Sequence, residues 1–261
     1  IDNQKLRQDS WRLLRDREKS NPNFLNVENK ILLVGNSHAK DLYNALVQNG
    51  YVNSETDVLR GNLPNIRCAN EGIDNYASVR NAFYNSQQWT ESTSVLISTR
   101  YGEGKCRRKI KNSAISSDLD GLSFVIQRAK SDGKRVVVLG TKSEFSKVKG
   151  KWVADYIFDL HQDNPDIIYI SKKVFSEADR LLWANRTKAT DKNKQIAAIA
   201  GDLGVHYFDP VPLICEDQMK ICSAFTDDGY KVLYDYGHYT LEGAKMVGER
   251  LVQKQFGELL K

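Results

Sequence analysis

Five short apolar runs alternate with longer segments of helical periodicity along this chain of 261 residues. A strand that is apolar at successive positions is typical of a parallel sheet with both faces covered, and parallel strands need crossover connections, usually helices. The alternation therefore predicts an α/β fold, a three-layer α/β/α sandwich around a mainly parallel five-stranded sheet of flavodoxin-like type. The predicted strands cover residues 31–34, 57–60, 94–98, 135–139 and 205–208.

Helical patterns fill the intervals between these strands. A final helix is expected after Thr240. The other predicted helices cover residues 39–48, 119–130 and 176–203, and the inner face of the final helix is expected to be Ala244, Val247, Leu251 and Val252. Residues 1–28 are polar and are expected to form a helical extension or linker, so that residues 29–261 form the main domain.

The first apolar run ends in Gly35-Asn36-Ser37, directly before a predicted helix. In open α/β sheets, ligands bind beyond the carboxyl ends of the strands, and free N–H groups at a helix N-terminus favour negative charge. Ser37 therefore occupies a suitable position for a nucleophile. The alternative is structural, because Ser is also a preferred helix N-cap.

A serine nucleophile needs a base, and the chain has only four histidines. His38 follows Ser37 directly and is expected to point elsewhere. His161 lies in a polar stretch that is predicted to be a solvated loop. His206 falls in the last predicted strand, where packing in the sheet is the favoured interpretation.

His238 differs from the other three because Asp235 precedes it by three residues, with Gly237 between them and the helix N-cap Thr240 after them. In a tight loop, Asp235 can accept a hydrogen bond from one ring nitrogen of His238 and leave the other nitrogen for a serine. The alternative is a capping loop in which Asp235 accepts from backbone N–H groups and His238 only packs. Together with the serine turn, the pair favours a Ser37–His238–Asp235 triad.

Two segments resemble the first and last motif blocks of the SGNH (GDSL-like) hydrolase superfamily: Gly35-Asn36-Ser37-His38-Ala39 and Asp235-Tyr236-Gly237-His238. More narrowly, the His-Ala after the serine and a cysteine pair before the last block are similar to the C-terminal SGNH domains of acyltransferase-3 proteins, which O-acetylate bacterial surface glycans. The resemblance covers residues 29–261 and is specific at its two ends. It implies an SGNH-type catalytic domain that uses this triad on acyl esters of carbohydrates, with no metal or other cofactor.

The chain departs from the family pattern at the first and middle blocks. Asn36 replaces the usual Asp, a change that is expected to be tolerated but to alter how the turn is braced. The middle blocks supply a glycine N–H and an asparagine side chain to the oxyanion hole, and no Gly-x-Asn-Asp motif occurs in their places, which are Gly61-Asn62 and Ser98-Thr99-Arg100-Tyr101-Gly102. The expected oxyanion donors are the N–H groups of Ser37 and Gly61, with a third donor unassigned.

Three residues near the predicted site are candidates for substrate binding. Arg100 is expected to bind an acidic sugar, and Tyr101 and Tyr239 are expected to stack on sugar faces. For both tyrosines, packing in the core or at the rim is the alternative.

The chain has four cysteines, an even number. Cys215 and Cys222 bound a polar loop that is typical of a disulfide-closed hairpin, and Cys68 and Cys106 would form a second bridge. A zinc site and free buried thiols are the alternatives, although the spacing lacks the short C-x-x-C pairs of structural zinc sites. Disulfides favour an extracytoplasmic location.

The net charge of +5 comes from interspersed Lys and Arg, and no nucleic-acid-binding motif occurs, so nucleic acid is not an expected partner. This charge would suit an anionic glycan or a membrane surface, or it is an ordinary solvated exterior. No stretch approaches the roughly 20 apolar residues of a membrane helix.

The chain starts without a methionine or a signal pattern, so we expect it to be part of a longer protein. The resemblance implies a membrane acyltransferase domain N-terminal to this segment, with the present domain on the periplasmic side of the bacterial inner membrane. The implied function is transfer of an acetyl group to a cell-surface polysaccharide through an acyl-enzyme on Ser37. Two alternatives stay open: a stand-alone carbohydrate O-acetyl esterase, and a glycan-binding module with a decayed active site.

Overall fold

The computed structural model describes residues 2–61, 63, 66–69, 77–105, 115–161, 172–187 and 189–260. The strands in these ranges are β1 (Asn29–Val34), β2 (Thr56–Arg60), β3 (Ser94–Ile97), β4 (Glu103–Lys105), β5 (Ile115–Ser117), β6 (Arg135–Leu139), β7 (Glu144–Phe145), β8 (Arg186–Thr187), β9 (His206–Phe208), β10 (Cys215–Glu216) and β11 (Ile221–Cys222). The α-helices are α1 (Asn3–Ser20), α2 (Ser37–Val47), α3 (Ala77–Tyr84), α4 (Gln87–Glu91), α5 (Asp118–Ser131), α6 (Val153–Leu160), α7 (Lys172–Ala184), α8 (Thr190–Asp202) and α9 (Leu241–Gln253).

The central sheet has the strand order β2-β1-β3-β6-β9, and each neighbouring pair is parallel. Successive residues of β1 face opposite layers. Leu33 belongs to an apolar cluster that includes residues of α2 and α9, whereas Leu32 belongs to a cluster that includes residues of α5 and α8. The predicted α/β fold with helices on both faces of a parallel five-stranded sheet is confirmed.

Residues 176–203 do not form the single helix that their composition predicts. They are divided between α7 and α8, and β8 lies between these helices and pairs in antiparallel fashion with β7, Phe145 opposite Arg186. The Asn185 side chain donates to the carbonyl oxygen of Leu181 at 2.8 Å at the end of α7. A non-local strand pairing therefore overrides a continuous local helical preference.

The inner face of α9 also differs from the prediction at one position. Ala244, Val247 and Leu251 are buried, but Val252 is 52% exposed. Residues at spacings of three and seven share one face of a helix, whereas the residue after Leu251 is rotated by about 100° away from it. Gly248, which is buried, occupies the inner face instead.

Helix α1 packs against α2 and α9 at the beginning of the chain. Leu14 is 1% exposed, and the guanidinium of Arg17 lies 2.6 Å from the carboxylate of Asp57 on β2. Polar residues 3–20 thus form a helix that is bonded to the sheet. Of the helices in the described ranges, none combines the length and the apolar character that crossing a bilayer requires.

The predicted Cys215–Cys222 disulfide is present and links two strands that face each other directly. The two strands, β10 and β11, form a short hairpin, and the second of them packs against α7. Cys68 is buried, and its predicted partner Cys106 lies outside the described residues, so this bridge stays a prediction.

Candidate active site

Two residues join β1 to α2 at the carboxyl end of the sheet. Gly35 has φ +148°, and a Cβ atom there would lie 1.9 Å from the carbonyl oxygen of Ser98. Only glycine permits this approach, because any side chain would collide with the backbone that follows β3. The turn thereby places Ser37 at the N-terminus of α2, beyond the carboxyl end of β1.

Asn36 is the N-cap of α2 and ties this turn to the segment after β3. Its Oδ1 accepts hydrogen bonds from the backbone N–H groups of His38, at 3.1 Å, and of Arg100, at 3.2 Å. Its carbonyl oxygen accepts from the N–H of Ala39 at 3.0 Å. Asn36 therefore braces the turn purely as an acceptor, which an Asp carboxylate would also do.

Ser37, His238 and Asp235 form a line of hydrogen bonds. The Oγ atom of Ser37 lies 2.7 Å from Nε2 of His238. On the other side of the ring, Nδ1 lies 3.0 and 2.9 Å from the two carboxylate oxygens of Asp235. A proton on Nδ1 satisfies the carboxylate and leaves Nε2 to accept from the serine hydroxyl, so these contacts favour this tautomer.

The loop from Tyr234 to His238 also orients the carboxylate through the backbone. The N–H groups of Gly237 and His238 donate to Asp235 Oδ1 at 3.1 and 2.9 Å, so the capping contacts and the imidazole contact coexist. Burial raises the pKa of the Asp235 carboxyl, but the hydrogen bonds and the charge of His238 outweigh burial and lower this pKa overall. Asp235 is therefore ionised at neutral pH.

Three aromatic rings surround the imidazole of His238, which is 7% exposed. Tyr234 stacks on it at 5.6 Å between ring centres with an angle of 12° between the planes. Tyr236 and His38 meet it edge-on at 5.0 and 6.0 Å. This packing restricts rotation of the ring and keeps Nε2 directed at Ser37.

A buried charged cluster lies beside the site, and nothing in the sequence marks it. It consists of Lys40, Asp41 and Lys142, which are 0%, 1% and 5% exposed. One carboxylate oxygen of Asp41 is 2.5 Å from the Lys40 ammonium, and the other accepts a hydrogen bond from Lys142. Charged residues are rarely buried unless paired, so a sequence pattern alone places such residues on the surface.

His38 contacts both the imidazole of His238 and this charged cluster. It lines a cavity of about 30 Å³ together with Asp41 and Lys142. Complete burial, and then the nearby charge of Lys142, lower the pKa of His38 well below its usual value of 6.5. His38 is therefore a neutral group at physiological pH.

The two remaining histidines lie elsewhere. His161 is half-buried at the C-terminal end of α6, and the polar stretch that follows it, residues 162–165, lies outside the described residues. His206 is exposed, which corrects the expectation of a packed strand residue. It is the first residue of β9, which is the edge strand of the sheet.

The expected oxyanion donors have different surroundings. The first N–H groups of a helix have no intrahelical acceptor. In α2, the side-chain and carbonyl oxygens of Asn36 accept hydrogen bonds from the N–H groups of His38 and Ala39. Within the described part of the chain, the Ser37 N–H has no such acceptor. Gly61 is not suitable as a donor, because its N–H donates to the carbonyl oxygen of Leu33 at 2.8 Å and extends the pairing of β1 with β2.

Of the three predicted substrate-binding residues, Arg100 alone has the exposure that this role requires. Its side chain is 53% exposed, lies 2.5 Å from the carboxylate of Glu144, and covers the ring of Tyr236 at 4.9 Å. Tyr101 is 3% exposed and donates to the carbonyl oxygen of Leu139 at 3.0 Å. The prediction of sugar stacking is therefore wrong for Tyr101, because its ring and hydroxyl are both used in the core.

Tyr239 is a core residue as well. It is 4% exposed, and its ring lies 4.0 Å from the ammonium of Lys142. No face of this ring is open to a sugar, so the substrate-binding prediction is wrong here too. The ring of Tyr239 instead makes a cation–π contact with the buried ammonium of Lys142.

The chain matches one family model and is similar to solved structures of bacterial proteins. A family model of SGNH domains fused to AT3 domains matches residues 9–253. The chain is similar to the lipopolysaccharide acetyltransferase periplasmic domain of Salmonella ser. Paratyphi A, with a TM-score of 0.62 and 14% identity over 95% of this chain and 97% of that one. A proposed acylhydrolase from Bacteroides fragilis is similar with a TM-score of 0.44 and 16% identity over 96% of this chain and 99% of that one. No curated protein matches the chain.

Proposed function

The chain belongs to the family of SGNH domains that are fused to AT3 domains, and on this basis we propose that it transfers an acetyl group to a bacterial cell-surface polysaccharide through an acyl-enzyme on Ser37. The observation that carries the proposal is the 2.7 Å contact between Ser37 Oγ and Nε2 of His238, an imidazole whose other nitrogen is bonded to Asp235. A nucleophile, a base and an orienting carboxylate in this order are the requirements of acyl transfer through serine.

In the first half-reaction, Ser37 Oγ attacks the acetyl carbonyl of the donor while its proton moves to Nε2 of His238. Asp235 is ionised and stabilises the imidazolium that forms. The tetrahedral intermediate then expels the leaving group of the donor, which takes the proton from Nε2. The product is an acetyl ester on Ser37.

In the second half-reaction, a sugar hydroxyl attacks this ester and gives its proton to Nε2 of His238. The second tetrahedral intermediate releases Ser37, whose oxygen takes the proton back. Water in place of the sugar would release acetate by the same steps, so the acceptor decides between a transferase and an esterase.

Both intermediates place a negative charge on the former carbonyl oxygen. Among the described residues, the Ser37 N–H at the positive end of α2 is a suitable donor for this oxyanion. Each oxyanion-hole donor accounts for roughly a hundredfold in rate, so this N–H would supply one such factor.

Two features support an extracytoplasmic setting with a membrane partner. The Cys215–Cys222 disulfide is typical of an oxidising compartment such as the bacterial periplasm. Members of this family are fused to AT3 domains, which supports a membrane-embedded acyltransferase domain as the source of the acetyl group. Arg100 is exposed, and an acidic group of a glycan would bind it in exchange for the carboxylate of Glu144.

The test is an acetyl-transfer assay on the purified domain with p-nitrophenyl acetate as donor and a bacterial polysaccharide as acceptor. We expect acetyl esters on the polysaccharide, none with Ser37→Ala, and normal transfer with Ser54→Ala, a control at an exposed serine. Acetate release without glycan acetylation would support the esterase alternative. Unchanged turnover in Ser37→Ala would show that Ser37 is not the nucleophile, and absence of turnover in both proteins, with retained glycan binding, would favour the glycan-binding module.

A further inference from the structure

Helix α1 is bonded to the helix that carries Ser37. Ser10 of α1 is 0% exposed, and its carbonyl oxygen accepts a hydrogen bond from Asn44 Nδ2 at 2.6 Å. Its hydroxyl oxygen accepts a second bond, from the ammonium of Lys40, at 3.2 Å. Asn44 and Lys40 both belong to α2, so α1 contacts the catalytic helix through buried polar groups.

The contacts with α1 help to stabilise the buried ammonium of Lys40. Lys40 and Lys142 share the single carboxylate of Asp41, so two ammonium groups and one carboxylate leave a net charge of +1 in the charged cluster. The Lys40 ammonium lies 5.2 Å from the ring centre of Trp11 and 5.3 Å from that of Tyr234. Because an incompletely paired buried charge is costly, these two rings and the serine oxygen of α1 stabilise it.

Tyr234 contacts both this lysine and the catalytic imidazole. Its ring lies 5.3 Å from the Lys40 ammonium and stacks on His238 at 5.6 Å. Burial, and then the charge of Asp41, raise the pKa of the Tyr234 hydroxyl. Tyr234 thus links Lys40, which α1 contacts, to one face of the imidazole.

We propose that α1 positions the imidazole of His238 through Lys40 and Tyr234, so that loss of the contacts between α1 and Lys40 slows acyl transfer while the triad residues themselves are unchanged. Trp11, Lys40 and Tyr234 are positioning residues, because they act on the reacting atoms only through His238. The kinetic part of this inference rests on the proposed function, but the placement of the imidazole is measurable without turnover. With a membrane acyltransferase domain before residues 1–28, α1 is the element through which that domain would act on the triad.

Two variants and one matched control test the proposal in the full chain. Trp11→Leu removes one aromatic ring from Lys40 but keeps an apolar side chain. Lys40→Met removes the excess positive charge and leaves Asp41 and Lys142 as a balanced pair. The control is Leu14→Ala, which weakens the packing of the same helix at an apolar residue that is 1% exposed.

The kinetic readout is kcat and KM for p-nitrophenyl acetate at a temperature where every variant is fully folded. We expect Trp11→Leu and Lys40→Met to lower kcat by about tenfold with KM unchanged, because a misplaced base affects the chemical step. Leu14→Ala should lower Tm but leave kcat close to that of the unmodified protein. Equal kcat losses in all three variants would show that α1 supports the fold in general and would overturn the proposal.

The second readout is the NMR signal of the proton on Nδ1 of His238, which reports its hydrogen bond to Asp235. This signal should shift or broaden in Trp11→Leu and Lys40→Met and stay unchanged in Leu14→Ala. An unchanged signal in Lys40→Met would contradict the positioning role. If the unmodified protein does not turn over the ester at all, the proposed function fails, while this signal still decides whether α1 positions the imidazole.

Discussion

The side-chain oxygen of Asn36 lies 3.2 Å from the backbone nitrogen of Arg100 and joins the serine turn after β1 to the segment after β3. The second partner of this oxygen, the N–H of His38, is also a donor. Position 36 therefore needs an acceptor and makes no use of a positive or a negative charge. This explains how the chain retains the turn with Asn where the first SGNH block usually has Asp.

We expect Asn36→Asp to keep both hydrogen bonds and to leave stability and activity close to those of the unmodified protein. Asn36→Ala removes the N-cap acceptor and should lower the free energy of unfolding by roughly 1 kcal/mol. Urea unfolding and p-nitrophenyl acetate turnover measure the two effects. Equal destabilisation by both substitutions would show that the charge state matters more than the acceptor.

Asp235→Asn should lower kcat by roughly 10⁴-fold, because an amide in this position favours the wrong tautomer of His238. The matched control is Asp228→Asn, at an exposed aspartate, which should have no effect on kcat. Steady-state kinetics on folded protein, verified by circular dichroism, checks the prediction. A loss of less than about tenfold would mean that Asp235 acts only as a loop cap.

The buried neutral imidazole of His38 should make stability dependent on pH. Its folded pKa lies well below 6.5, so below pH 6.5 the unfolded chain binds a proton at this residue that the folded chain does not bind. Stability should therefore fall as pH decreases below 6.5, by roughly 1 kcal/mol per pH unit from this residue.

His38→Gln removes this contribution, so the variant should lose less stability between pH 7 and pH 5 than the unmodified protein. His206→Gln, at an exposed histidine, should keep the original pH dependence. Urea unfolding at both pH values is the measurement. Parallel pH profiles for the unmodified protein and His38→Gln would show that the imidazole titrates normally in the folded state.

The Cys215–Cys222 disulfide closes a short loop against α7. Replacing both cysteines with alanine should lower the free energy of unfolding by about 2 kcal/mol, the amount that chain-entropy arguments give for a loop of this length. The measurement is urea unfolding of the double variant, with the other two cysteines intact. No change in stability would mean that the pairing of β10 with β11 holds this loop without the bridge.

Local signals were sufficient to predict the segment from β1 to α2. An apolar run, a glycine and a preferred helix start agree with one another there, and the structure places the helix start within two residues of the predicted position. Asp235 and His238 are also local partners, three residues apart. Their approach to Ser37, which is 201 residues from His238, is a non-local contact between the end of β1 and the loop before α9, and the resemblance to the SGNH blocks, not a local signal, predicted it.

Non-local packing explains what the sequence did not reveal. The division between α7 and α8 depends on pairing with β7, which a helical pattern cannot show. Tyr101 and Tyr239 lie close in sequence to predicted site residues, but both side chains are buried. Tyr101 contacts Leu139 and Tyr239 contacts Lys142, and the sequence does not show these contacts. Gly61 follows the predicted strand, yet continued pairing with β1 occupies its N–H.

The charged cluster and its contacts with α1 were beyond sequence reasoning for a related reason. Lys40 and Asp41 lie near the start of α2, on a helix where charged residues are ordinarily solvated. Their burial depends on Lys142, from the segment after β6, and on Trp11, from the first helix. Only the packed structure brings these three segments together.

The most direct test of the account is detection of the acyl-enzyme. After brief exposure to p-nitrophenyl acetate and rapid acid quenching, peptide mass spectrometry should find one acetyl group, and tandem fragmentation should assign it to the side chain of Ser37. The signal should be absent in Ser37→Ala and in His238→Ala. Ester hydrolysis at an undiminished rate in Ser37→Ala, or an acetyl group on another residue of a competent enzyme, would contradict the proposed role of Ser37.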